Sequence, residues 1–409
     1  MNHITKNGTL LYEDASRCCG CGGCFLVCST HAITMKADDK GAFYPDIDSE
    51  KCIACNRCIE ICAFGQGKQE NGFISYAAAN NQVEQKMVSS SGGVFAAIAT
   101  AFLRQGYAVV GVALDMVVSK ANVRHIMIQS QKELPRLQGS KYVQSSGLEN
   151  YDAIKQVLKD GKKLLFSGTP CQVAGFKSLF KKYRDQIYTI DIVCHGVPGL
   201  AFFNDYLDWI HQNKGGVVTS VVFRDKALGW RTSGRIDVHM RGDNSRLQFS
   251  QNTSSYYSFF YSGETYRNSC YACPYACLQR VGDLTIGDYW GAQQFSPELM
   301  SENGGPFDSR TGISCVLCNN QKGEEMLQKT EETLIYREVV VEKITAYNQQ
   351  LIAPASHSAL RHKIFRHYLK KGYDGVEKIF RTIKRKEAMR KKVKALLPQK
   401  VYTFIKKVK

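Results

Sequence analysis

The chain has 409 residues, 44% of them hydrophobic and 22% charged, with 16 cysteines and a formal net charge of +17. That is too long and too apolar for a small disulfide-stapled secreted scaffold, and it is enough to bury a large core spread over about two to three domains. No apolar stretch approaches the roughly 20 residues of a membrane span; the nearest, residues 107–114, is strand-sized.

The first 14 residues lack a basic region followed by an apolar run, so no secretory signal is expected. Sixteen clustered cysteines imply a reducing compartment and metal use, and hence a cytoplasmic protein. The charge is uneven. Residues 378–409 hold 13 Lys/Arg against one acid, Glu387, and the remaining 377 residues carry only +5. The charge therefore describes the tail more than the body.

Residues 18–62 contain two runs of the form C-x2-C-x2-C-x3-C: Cys18, Cys21, Cys24, Cys28 and Cys52, Cys55, Cys58, Cys62. Three thiolates at that spacing wrap three irons of one cubane, and the fourth reaches the other cubane. One cluster is thus assigned Cys18, Cys21, Cys24 and Cys62, and the other Cys52, Cys55, Cys58 and Cys28. Zinc would call for C-x2-C pairs instead. Ser29 and Ala63 stand where such runs usually carry proline. Between the runs, alternation around D-D-K-G predicts a β-hairpin, completing a two-cluster module over residues 1–70. Residues 65–72, G-Q-G-K-Q-E-N-G, read as a linker.

A second domain is expected from about Tyr76, spanning residues 71–347. Residues 89–93, S-S-S-G-G, open a helical run from Val94 that leads into a strand at 107–114. A serine–glycine turn at a helix start presents backbone N–H groups suited to a phosphate, although an ordinary helix cap reads the same way. Lys141, in G-S-K-Y, could pair with a phosphate or simply lie on the surface. Two apolar strands then end in G-T-P-C-Q and C-H-G-V-P, placing Cys171 and Cys194 at strand ends of a buried, parallel-type sheet, where sites assemble. C-Y-A-C-P-Y-A-C adds Cys270, Cys273 and Cys277. These five cysteines are one too many for a third cubane; a catalytic thiol beside His195, a zinc site and a buried structural cysteine remain alternatives.

G-T-P-C-Q, C-H-G-V-P, the S-G-G turn, G-S-K-Y, and G-D-Y-W-G after C-x2-C together resemble the β-subunit family of coenzyme F420 hydrogenase/dehydrogenase, over roughly residues 18–347. Its relatives include a plant hydroxymethyl-chlorophyll reductase. The resemblance implies FAD and one [4Fe–4S] cluster in the second domain. Its cluster ligands carry over to Cys171, Cys194, Cys270 and Cys273, without Cys277. Its flavin positions carry over to Ser91, Gly92, Gly93 and Lys141. Cys19, Cys315 and Cys318 are left spare, the last two in an apolar, strand-like run.

The expected fold is therefore multidomain α+β and α/β: a bacterial 2[4Fe–4S] ferredoxin-like module, a mixed α/β flavin and iron–sulfur domain, and a basic helical tail over residues 348–409. The expected function is an oxidoreductase that passes electrons from a soluble reduced ferredoxin through three clusters to FAD and on to a small molecule. The alternatives are a relay subunit serving a partner enzyme, or an F420-dependent oxidoreductase. Asp191, His195, Asp283 and Asp288 are the candidate proton donors, each equally readable as a structural group. In the tail, Ile379, Phe380, Ile383, Met389, Val393, Leu396 and Leu397 recur at helical spacing among basic residues, and Pro398 is expected to break the helix. That pattern suits an anionic membrane surface on the cytoplasmic side; packing on the protein itself is the alternative, and nucleic acid is disfavoured for want of interleaved aromatics.

Overall fold

The computed structural model describes residues 2–65, 72–230, 233–240 and 243–396. The linker expected at 65–72 and the tail hydrophobics from Leu397 onward, with Pro398, lie almost entirely outside these residues.

The N-terminal module is built on an antiparallel hairpin, β1 (Ile33–Ala37) with β2 (Phe43–Ile47), in the register Ile33 opposite Ile47. The D-D-K-G segment closes it as expected. The Asp38 carboxylate accepts from the N–H groups of Lys40 and Ala42, at 3.0 and 2.8 Å, and Gly41 takes φ +77°. The side chain thus supplies turn bonds that the backbone alone would lack. Leu11, Ile33 and Ile47 form a small core against Cys24, Cys28, Cys52 and Cys58. So small a core leaves the module short of apolar burial for its length.

The body is an eight-stranded mixed sheet. Its strands are β3 (Ile74–Asn80), β4 (Ala108–Val117), β5 (Lys120–Ile128), β6 (Leu164–Gly168) and β7 (Ile187–Ile192). Three further strands, β8 (Val217–Val222), β9 (Gly234–Met240) and β10 (Asp243–Phe249), form a separate antiparallel sheet. The large sheet is completed by β11 (Leu284–Asp288), β12 (Ser314–Cys318) and β13 (Leu334–Glu338), in the order β13-β3-β12-β11-β7-β6-β4-β5. β4, β6, β7 and β11 run parallel at its centre, and the strands outside them are antiparallel. The apolar runs of β6 and β7 are buried at nearly every position, as strands covered on both faces must be. Cys315 and Cys318 lie buried on β12, as their apolar run suggests.

His125 on β5 stacks on Phe166 with ring centroids 5.1 Å apart, and its Nδ1 meets Ser145 Oγ at 3.1 Å. Burial pushes its pKa down from 6.5 to about 4. The native imidazole stays neutral where the unfolded chain already binds a proton. Stability is therefore full above pH 6.5 and is lost as pH falls towards about 4, by on the order of 3 kcal/mol. Thermal unfolding between pH 7 and 4.5 should show a shallower slope for His125→Gln than for the parent chain; equal slopes would contradict this.

The tail departs from expectation. Its helix, Ala359–Leu396, breaks at Gly372, where φ is +57°, well before Pro398. Ile379 and Phe380 are 4% and 6% exposed, packed in one core with Phe202, Tyr206, Tyr256, Ile364, Phe365, Tyr373 and Val376. Trp209 Nε1 donates to Asp374 at 3.0 Å and Tyr368 to Asp205 at 2.6 Å. The first apolar stripe is therefore spent on the protein's own core rather than on a membrane. Only further along do Met389 and Val393 stand exposed. Among the described residues no helix is long and apolar enough to cross a membrane.

Candidate functional site

The carboxyl ends of the parallel strands converge on one cavity of about 560 Å³, within the range of small-molecule and cofactor sites. Cys171 enters it from the second position of the helix Pro170–Leu179. Thr169 caps that helix reciprocally with Gln172, its N–H donating to Gln172 Oε1 at 3.0 Å, and Pro170 pre-sets the first turn. Cys194 follows β7 in a loop held by Gly196. With φ at +132°, a Cβ there would stand 2.4 Å from Tyr266, so C-H-G needs its glycine. Cys270 and Cys273 come from the 3-10 turn Asn268–Ala272 and its cap. All four line the cavity, whereas Cys277 does not; its thiol turns to the carbonyls of Pro274 and Gln279.

Burial pushes the Cys194 thiol up, and Cys270, Cys171 and Cys273 add to the push as neighbouring negative charges. A set of soft, mutually adjacent, buried thiols is the donor chemistry of an iron–sulfur cluster. Among the described residues no three such groups converge on one ion; a cubane's thiolates each bind a different iron and stand apart. In the N-terminal module, burial pushes the Cys24 thiol up, with Cys21, Cys18, Cys62 and Cys58 adding as neighbouring charges, and burial pushes Cys58 up, with Cys55 and Cys28 adding.

Cys19, left spare by the sequence reading, is the unexpected member. It is half-buried in the same cavity wall, and the neighbouring Cys171 and Cys21 thiols help to raise its pKa. It therefore sits between the two modules. They are in intimate contact elsewhere too: Gly175 lies so close to Cys21 that a Cβ would be 3.0 Å from its sulfur, and Tyr275 donates to the carbonyl of Ala63. The only hint in the sequence is the C-C doublet itself.

The four candidate proton donors separate into two pairs. Asp191 is fully buried and accepts from Arg280 Nη2 at 2.7 Å and from the Gly282 N–H at 2.8 Å. Asp283 accepts from the Thr189 N–H and Oγ1, both at 2.7 Å. Both carboxylates staple the loop before β11 to β7 and lie outside the cavity wall, so the proton-donor expectation fails for them. His195 and Asp288 do line the cavity. Burial lowers the His195 pKa, with Asp288 partly opposing it. Asp288 accepts from Arg224 at 2.9 and 3.3 Å and from Trp230 Nε1 at 2.8 Å. Trp230 in turn stacks on Trp290 at 4.8 Å.

The flavin positions also divide. Gly92 faces the sheet: its N–H donates to Ser314 Oγ at 2.9 Å, and a Cβ would stand 2.4 Å from Ala78 O. Its N–H is thus not offered to a phosphate. Ser91 lines the cavity but donates its hydroxyl to Ile313 O at 2.8 Å. Gly93, at φ +78°, is the cap of the helix Val94–Arg104. Val94, Phe95 and Ala96 line the cavity, and their first-turn N–H groups have no acceptor within the helix. Lys141 also lines the cavity, yet its ammonium donates to Leu137 O and Gln138 O, at 2.9 and 2.7 Å. Burial brings its pKa from 10.5 to about 7.

Comparison with known proteins adds the following. Residues 161–343 match the family model that describes the C-terminal part of the coenzyme F420 hydrogenase/dehydrogenase beta subunit. This part of the chain is similar to that family. Residues 17–66 match the 4Fe-4S dicluster domain, the segment that holds both C-x2-C-x2-C-x3-C runs. The chain thus resembles an iron–sulfur dicluster domain in its N-terminal segment and an oxidoreductase family over residues 161–343. No curated protein matches the chain. Among solved structures, a chain of the F420-reducing [NiFe] hydrogenase complex from Methanosarcina barkeri aligns at 14% identity with a TM-score of 0.41, covering 77% of this chain and 94% of that one.

Proposed function

We propose that this F420 hydrogenase/dehydrogenase β-subunit relative is an iron–sulfur flavoprotein reductase. It takes single electrons from a soluble ferredoxin-type donor through three [4Fe–4S] clusters to FAD, which passes them to a small molecule. The observation that carries this reading is the convergence, on one cavity, of four half-buried cysteines and the open N-terminus of the helix Val94–Arg104.

Cys171, Cys194, Cys270 and Cys273 would hold the third cluster. The Val94–Ala96 N–H groups, at the positive end of the helix dipole, would take the flavin diphosphate. When bound, the flavin supplies the step between one- and two-electron chemistry. The chain's own residues then do three things. The apolar floor of β4 and the Val94–Arg104 helix excludes water. Arg224, ion-paired with Asp288, is a fixed polar group of the wall. His195, kept neutral by burial, is the residue placed to hold a proton inside the cavity. The Trp230–Trp290 stack leaves a planar aromatic surface beside them, suited to a flat conjugated substrate. Coenzyme F420 is one such molecule, and the family's description favours testing it first.

The test is flavin release. Anaerobically purified full chain, denatured, should yield FAD by spectrum and chromatography. In Gly93→Val, the left-handed cap is strained by roughly 1–3 kcal/mol, the first turn shifts, and flavin occupancy should fall at least tenfold. Full occupancy in that variant, or no flavin in the parent, would overturn the assignment.

A further inference from the structure

Arg267 touches both electron-carrying halves of the molecule. It lies on the turn that leads into Cys270, whose N–H donates to Arg267 O at 3.1 Å. Its side chain crosses to the N-terminal module: Nη2 donates to Cys18 O at 2.7 Å and to Phe43 O at 3.2 Å, and the guanidinium stacks over Tyr44 at 4.6 Å. Nε is satisfied by Ser269 Oγ at 3.0 Å. The residue is 4% exposed, and its Nη1 is buried with no hydrogen-bond partner.

An orphaned guanidinium N–H in a buried site costs several kcal/mol unless something accepts from it. Nη1 points at the segment around Gly20, where a Cβ would stand only 2.5 Å from it. Gly20 lies between the ligands Cys18 and Cys21. The cation is close enough to act on Cys18 and Cys21 on one side and on Cys171 and Cys270 on the other. It is not among the charges that act on Cys58 of the second N-terminal set. Arg280, also buried near the cavity cysteines, is neutralised by Asp191 at 2.7 Å, and the buried Arg361 acts on Cys270 but on none of the N-terminal cysteines named above. Arg267 bonds to carbonyls, a hydroxyl and a ring face, and among the described residues no carboxylate pairs with it.

We propose that Arg267 is a positioning and tuning residue shared by two clusters, the one held by Cys18, Cys21, Cys24 and Cys62 and the one in the cavity. Its unspent N–H donates to a sulfur of the N-terminal cluster, and its permanent charge raises the reduction potential of both. Net charge and hydrogen bonds to sulfur are established determinants of cluster potential. A cation favours whichever state carries the extra electron. When one electron leaves the first cluster and enters the second, one is oxidised and the other reduced by the same amount. Arg267 keeps its charge throughout, and no proton has to move. The pair is thereby set above the cluster of Cys52, Cys55, Cys58 and Cys28, so electrons entering at the exposed Cys55 end run inward.

This inference rests on the three-cluster reading above, and the experiment separates the two. Anaerobically reconstituted full chain, Arg267→Gln and Arg267→Lys are assayed for iron and titrated with dithionite under EPR. In Arg267→Gln, two of the three clusters should become harder to reduce by at least tenfold, about 59 mV for one electron, while the third stays put. Arg267→Lys, which keeps the charge but not the fork, should show a smaller fall confined to the same two. If the Gln variant fails to fold, the Lys variant decides alone. Unchanged potentials with full iron, or a fall shared equally by all three clusters, would overturn the role of Arg267. Iron near two clusters in the parent chain would instead overturn the three-cluster reading.

Discussion

Asp191→Ala should destabilise the protein by on the order of 3–5 kcal/mol, the cost of leaving a buried charge without its partner. Asp191 is fully buried, and Arg280 is 4% exposed. Their ion pair is 2.7 Å long, and the second carboxylate oxygen takes the Gly282 N–H at 2.8 Å. After truncation Arg280 keeps only the carbonyls of Tyr275 at 2.7 Å, Ile192 at 3.1 Å and Cys277 at 3.3 Å, and the Thr285 hydroxyl. The loop that leaves the Cys270–Cys273 turn would then lose its anchor to β7. Denaturant unfolding should show the loss as a lower midpoint with an unchanged slope. A variant of parental stability but reduced turnover would restore Asp191 as a proton donor.

Cys171→Ser should remove about one cluster's worth of iron, roughly four atoms, and leave the N-terminal pair intact. The local geometry adds a complication that sequence alone hides. The Cys19 thiol lies beside Cys171 in the same cavity wall, so it stands ready to replace the missing ligand. The double variant Cys19→Ala, Cys171→Ser should therefore lose the cluster completely even where the single variant retains part of it. Iron and EPR spin counts of the two variants check this. Loss of all iron from Cys171→Ser would mean that the clusters do not form independently.

What was legible in the sequence was local. The cysteine spacings, the D-D-K-G hairpin, the two apolar strands ending in cysteine and the helix at Val94 all follow from periods and turn chemistry within about ten residues. What stayed hidden depends on partners far along the chain. Asp191 and Asp283 look like Asp288 in the sequence, and only Arg280 and Thr189 show that they are staples. Gly92 and Gly93 are adjacent, yet one packs on Ala78 and the other caps a helix. Arg267 has no motif, since its meaning lies in Cys18 and Phe43 more than two hundred residues away. The tail's apolar stripe was read correctly as amphipathic, but amphipathicity does not say which apolar surface receives it. The core around Phe202 and Tyr373 received its first half.

The central claim is that four cavity cysteines complete a third cluster beside a flavin. Iron and acid-labile sulfide, measured per chain on the anaerobically reconstituted full-length protein, test it most directly. The account predicts about twelve of each, four per cubane. A value near eight, with the N-terminal pair fully formed, would contradict it.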